Sequence, residues 1–96
     1  MVKHVVCFKL KKGEDPLEAK EILLSMKGKV PTLRGIEVGV DELHSDRSFD
    51  VMLTVLLDDF AALSEYRNDP YHCSVVKEYM HRVRESSVAV DYTIDK

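Results

Sequence analysis

Four stretches of this chain alternate apolar and polar residues with a period of two, and that alternation constrains the fold more than any other feature. Val2 to Leu10 places Val2, His4, Val6, Phe8 and Leu10 on one side and Lys3, Val5, Cys7 and Lys9 on the other. Arg34 to Asp41 does the same with Ile36, Val38 and Val40 in phase; Phe49 to Leu57 with Phe49, Val51, Leu53, Val55 and Leu57; and Ser87 to Ile94 with Val88, Val90, Tyr92 and Ile94. Side chains of a strand point alternately to its two faces, so each stretch predicts a strand with one strongly apolar face. The segments between them read as helices. Asp15-Pro16-Leu17-Glu18 supplies a cap, a proline and an acid where a first turn needs them, and Ala19, Leu23, Met26 and Val30 recur at helical spacing, which predicts a helix from Pro16 to Lys27 with Gly28 beyond its end. Asp58 or Asp59 caps a second helix that carries Phe60, Leu63 and Tyr66 toward the core and ends before Pro70. Asp69-Pro70 opens a third, with His72, Val75, Val76, Tyr79 and Val83 on its inner face.

The order β-α-β-β-α-α-β is that of an α+β, ferredoxin-like sandwich: one four-stranded antiparallel sheet under one layer of helices, with residues 1–96 as one domain. One helical layer covers one face. The other is expected to show Val5, Cys7, Met52, Leu56 and Ala89 ringed by Lys3, Lys9, Glu37, Asp41, Asp50 and Asp91. An apolar patch with a charged rim predicts an interface, and two such sheets packed face to face would make a homodimer closed into an α/β barrel.

A formal charge of -3 with 32% charged residues offers no basic surface for nucleic acid or an anionic membrane, so neither is expected as a partner. No apolar run reaches the ~18 residues of a membrane span, and the reading is cytosolic. Cys7 and Cys73 match no zinc or redox spacing and are expected as reduced, buried thiols. His72 and His81, nine residues apart, would stand on opposite faces of a regular helix, and no metal set is expected.

Three polar side chains converge on one apolar space. His4 stands in the apolar phase of the first strand, Tyr66 hangs from the second helix, and His72 lies on the inner stripe of the third; Val6, Phe8, Val76 and Tyr79 would complete the lining. A few polar groups in an apolar pocket suit a small hydrophobic ligand. Burial near a helix start would lower the pKa of His72 and leave a neutral imidazole able to take a proton, while the Tyr66 phenol donates to a developing oxyanion, with His4 orienting the substrate. That combination suits cofactor-free proton abstraction beside a carbonyl, as in a cyclase, lyase or isomerase. The alternative is a non-catalytic structural protein in which Tyr66 and His72 only brace the Pro70 corner and side chains fill the space.

The opening Val2-Lys3-His4-Val5-Val6-Cys7-Phe8-Lys9-Leu10, the Val30-Pro31 followed by Ile36-Glu37-Val38-Gly39, the Phe49-Asp50 pair and Tyr66-Arg67-Asn68-Asp69-Pro70-Tyr71-His72 together resemble the stress-responsive dimeric A/B-barrel (Dabb) domain over essentially the whole chain. The resemblance implies the same fold and a dimer. A plant polyketide cyclase of that family uses a tyrosine and a histidine six residues apart around a proline, positions that Tyr66 and His72 occupy here, and His4 falls on a pocket histidine of the first strand. The chain departs from the family where Asp69 stands for a frequent histidine, and where Ile22, Leu23 and Met26 replace pocket aromatics of the first helix.

Overall fold

The computed structural model describes residues 1–94. Its elements run β1 (Val2–Leu10), α1 (Pro16–Leu24), β2 (Gly35–Val40), β3 (Val51–Leu57), α2 (Phe60–Asn68), a π-helical stretch (His72–Lys77) continuing into α3 (Glu78–Val83), and β4 (Arg84–Thr93). The antiparallel sheet has the order β2-β3-β1-β4, so β1 and β3 are central and the fold is ferredoxin-like.

Capping fixes the helix starts. Asp15 accepts from the Leu17 amide at 2.9 Å and Asp59 from the Ala62 amide at 2.8 Å, each satisfying a first-turn donor that has no partner within the helix. Asp58, the other candidate cap, instead meets the Arg34 guanidinium through two hydrogen bonds of 3.1 Å. Helix α1 ends at Leu24 rather than at Lys27, because the next amides, Met26 and Lys27, turn back to the carbonyls three residues earlier and Gly28 takes φ +81°. Strand β3 begins at Val51 rather than Phe49: the Asp50 carboxylate accepts from the Leu10 amide at 2.7 Å, and the Asp50 amide donates to the Phe8 carbonyl, which uses this residue as a clasp.

The core lies between the helices and one face of β1, β2 and β3, where Val6, Val38, Leu53, Val55 and Leu57 meet Ala19, Leu23, Met26, Leu63, Tyr66 and Val76. Phe60 is 51% exposed, not inward, since it occupies the first position of α2 at the solvent end. Val75 is exposed and Met80 buried in its place. The wider π turn advances less per residue than an α turn, so the inner stripe shifts along the chain after His72. Both cysteines are free, and Cys73 is exposed rather than buried.

Strand β4 reverses the expected phase. In the register His4 pairs with Asp91, Val6 with Ala89 and Phe8 with Ser87, so Ser87, Ala89, Asp91 and Thr93 face the helices while Val88, Val90 and Tyr92 join Val5, Cys7, Met52 and Leu56 on the open face. Alternation sets a period but not a direction, which comes only from pairing with a neighbour. The helical layer stops short of β4, where Ala89 and Thr93 on the helix side remain exposed, so this side has no core to receive large apolar residues. Val88, Val90 and Tyr92 retain 55%, 62% and 44% exposure on the other face. The open face is therefore more apolar than the sequence reading placed it.

Candidate functional site

Because the helices leave the β4 edge uncovered, a cleft of about 620 Å³ opens between that edge and the α2–α3 corner. His4, Val6 and Phe8 from β1, Leu53 from β3 and Ser87 from β4 form its floor. Tyr66 and His72 stand over them, Val76 and Met80 make the apolar wall, and Arg67, Asn68, Lys77, His81 and Arg84 make the mouth. The volume falls in the range of small-molecule sites, ~300–1,000 Å³.

The Pro70 corner is built to hold His72 in place. Asp69 leaves the helical conformation with ψ 132° and turns its carboxylate to accept from the His72 amide at 3.0 Å, while its carbonyl accepts from the Cys73 amide at 2.9 Å. The Tyr71 hydroxyl donates to Ser25 Oγ at 2.7 Å and ties the corner to the end of α1. Ser74 Oγ donates to the Pro70 carbonyl at 2.7 Å, satisfying an acceptor of the widened turn.

Three aromatic rings stack through the site in the order His4, Tyr66, His72. The Tyr66 and His72 centroids are 4.4 Å apart with planes tilted by 33°, and His4 meets Tyr66 edge-on at 5.6 Å. Among the described residues, Nδ1 of His72 is buried without a hydrogen-bond partner. Burial lowers the pKa of His72, against the pull of the adjacent Arg67 carbonyl and the Asp69 carboxylate, so the imidazole is neutral at physiological pH. Tyr66 is 1% exposed, and burial, with Asp69 nearby, raises its pKa well beyond the ordinary tyrosine value, so it is a donor and not a phenolate. Among the described residues its hydroxyl donates only to the Met26 thioether, at 3.7 Å, a weak acceptor. The two side chains share a stack, not a hydrogen bond.

Asp91 is the residue the sequence reading missed. Nδ1 of His4 hydrogen-bonds to Asp91 Oδ1, which fixes the ring orientation and leaves Nε2 free of the carboxylate. The signal was available in the register: a carboxylate opposite a histidine on one face becomes visible once β4 is phased by its pairing with β1. Tyr79 lies outside the cleft, its ring 5.4 Å from the Arg82 guanidinium carbon, with burial and the Glu18 and Glu14 carboxylates raising its pKa. His81 shares the cleft with His72 rather than facing away, because the π-helical stretch between them turns less per residue and cuts back the half-turn that a regular helix would impose. Among the described residues no three His, Cys, Asp or Glu side chains gather as a metal site requires, and no helix is long and apolar enough to cross a membrane.

No curated protein matches the chain. Solved structures share its fold throughout. A dimeric ferredoxin-like protein of unknown function from Bacteroides fragilis is 25% identical with a TM-score of 0.76, covering 97% of this chain and 95% of that one. A Dabb family protein from Mesorhizobium loti is 23% identical at TM-score 0.70, covering 99% and 97%. A hydroxynitrile lyase from Passiflora edulis is 17% identical at TM-score 0.78, covering 99% and 94%. The model of the stress responsive A/B barrel domain matches residues 2–94, and the chain therefore belongs to that family.

Proposed function

We propose that this protein is a cytosolic homodimer, joined through the open sheet faces, whose cleft binds a small hydrophobic molecule and performs cofactor-free acid–base chemistry on it. The observation that carries this reading is the neutral imidazole of His72 lining an open cleft, its ring stacked against that of Tyr66, whose hydroxyl is only weakly bonded.

In the proposed step, neutral His72 removes a proton from a carbon beside a carbonyl. The C–H electron pair becomes the enolate double bond, the carbonyl π pair moves to oxygen, and the Tyr66 hydroxyl donates to that oxygen. His4, oriented by Asp91, presents Nε2 to a polar group of the substrate. Return of the proton from the imidazolium to carbon, or loss of a leaving group, completes an isomerase-, cyclase- or lyase-type reaction. A lyase is among the proteins that share this fold. The structural alternative, a space filled by side chains, is disfavoured by the open cleft and by the outward placement of Phe60 and Tyr92.

Native mass spectrometry of freshly purified protein tests the parts separately. A dimer carrying extra mass is expected, and the released molecule then becomes the substrate assayed with His72→Ala. A dimer at bare mass would overturn the ligand-carrying reading, and a monomer would overturn the interface.

A further inference from the structure

The permanent charges lining the cleft are all of one sign. Arg67 at the end of α2, Lys77 at the end of the π-helical stretch and Arg84 at the start of β4 bring three permanent cations to its mouth from three elements, and no Asp or Glu is among the lining residues. That runs against a chain with 17 acidic and 14 basic residues. Among the described residues none of the three forms an ion pair, whereas Arg34 and Lys9 elsewhere do, so their donors are unspent. Below the mouth the surface changes to Val6, Phe8, Leu53, Val76 and Met80.

We infer that the ligand is a small organic acid bound as its carboxylate, its apolar body against Val6, Phe8 and Val76 and its anionic group at the Arg67, Lys77 and Arg84 mouth. The inference rests on the proposed ligand cleft and adds the chemical class. Two guanidinium forks and an ammonium offer more donors than a hydroxyl or a neutral amide can use, and a carboxylate accepts an Arg fork through both oxygens. A cationic ligand would meet three like charges with no counter-charge in the lining, which the cleft rejects.

Three probes of one chain length separate the possibilities: octanoate, octanol and octylamine, titrated into the dimer and followed by amide shifts in NMR spectra. Octanoate is expected to shift the amides of Val76, Lys77 and Ser87 and to bind at least tenfold more tightly than octanol, with octylamine not binding. Arg84→Gln should weaken octanoate about five- to tenfold while leaving octanol unchanged, the scale of one partly exposed charge-assisted hydrogen bond. Added salt should weaken octanoate alone. Equal affinity for octanoate and octanol, or an Arg84→Gln variant that binds octanoate as the wild type does, would overturn the anionic assignment and leave the cleft standing. Binding of none of the three would overturn the cleft reading itself.

Discussion

Val90→Asp is the most direct test of how the sheet is used. Val90 sits on the open face opposite Val5, with Val88 and Tyr92 flanking it along β4, and 62% of it is exposed in the protomer. Complete burial of a valine side chain is worth about 1.5–2 kcal/mol, so covering the part still exposed contributes about 1 kcal/mol. In the proposed dimer a two-fold axis would place the residue in the interface twice, giving about 2 kcal/mol per dimer. Two carboxylates stranded on an apolar surface cost at least as much again, for a total of about 4 kcal/mol or a thousandfold rise in the dimer dissociation constant. Sedimentation velocity across a dilution series should find wild type dimeric where Val90→Asp is monomeric. Ala89→Asp is the matched control: same strand, same charge, opposite face, and it should remain dimeric. Circular dichroism distinguishes dissociation from unfolding. A Val90→Asp protein as dimeric as wild type would refute the interface, and a monomeric Ala89→Asp beside a dimeric Val90→Asp would refute the phase of β4.

Other outcomes follow from the site and the core. Tyr66→Phe removes a hydroxyl bonded only to a thioether, so the melting temperature should hold within the few degrees that ~1 kcal/mol produces, while turnover of the co-purified molecule should fall; an unchanged rate would remove Tyr66 from the chemistry. Asp69→Ala takes away the acceptor for the His72 amide and should cost about 0.5–2 kcal/mol in denaturant unfolding, the range of a lost cap. Because burial lowers the pKa of His72 in the folded protein, the unfolded chain binds more protons between that lowered value and the ordinary ~6.5. Its contribution is thus fully present above about 6.5 and is lost as pH falls through the folded value, and a stability profile of His72→Asn should lack that part of the acid-side decline. Leu23→Ala, at a residue 1% exposed beneath α1, should cost about 2–5 kcal/mol, and a smaller loss would mean that the neighbouring helix collapses into the space.

How much of this was legible in the sequence differs by element. Strand β1 shows its full length because its neighbours on both sides are strands and its alternation is uninterrupted from Val2 to Leu10. The caps are equally plain, since Asp15 and Asp59 act on amides two and three residues away. What eluded a local reading depends on partners distant in the chain. The direction of β4 is decided by a helical layer that ends short of it, and the π-helical stretch adds backbone slack that side-chain spacing does not reveal. The site divides in the same way. Tyr66 and His72 flank a proline and were readable as a pair, whereas Asp91 is 87 residues from the histidine it orients and needed the register. Of the anticipated lining, His4, Val6, Phe8 and Val76 reach the cleft, while Tyr79 turns away with the stripe that the widened turn displaces.

The alternation of β4 carries a thermodynamic consequence. Asp91 holds His4 beneath the cleft, and its sequence neighbours Val90 and Tyr92 project from the reverse side of the same peptide units. A shift of this edge strand moves both sets together, because the pleat gives them no independent freedom. For the proposed ligand and the proposed interface, the two affinities would be two arms of one cycle: whatever factor association contributed to ligand binding, the ligand would return to association. A dilute, empty protein and a concentrated, occupied one would sit at opposite corners of that cycle, connected through a strand at the sheet's edge.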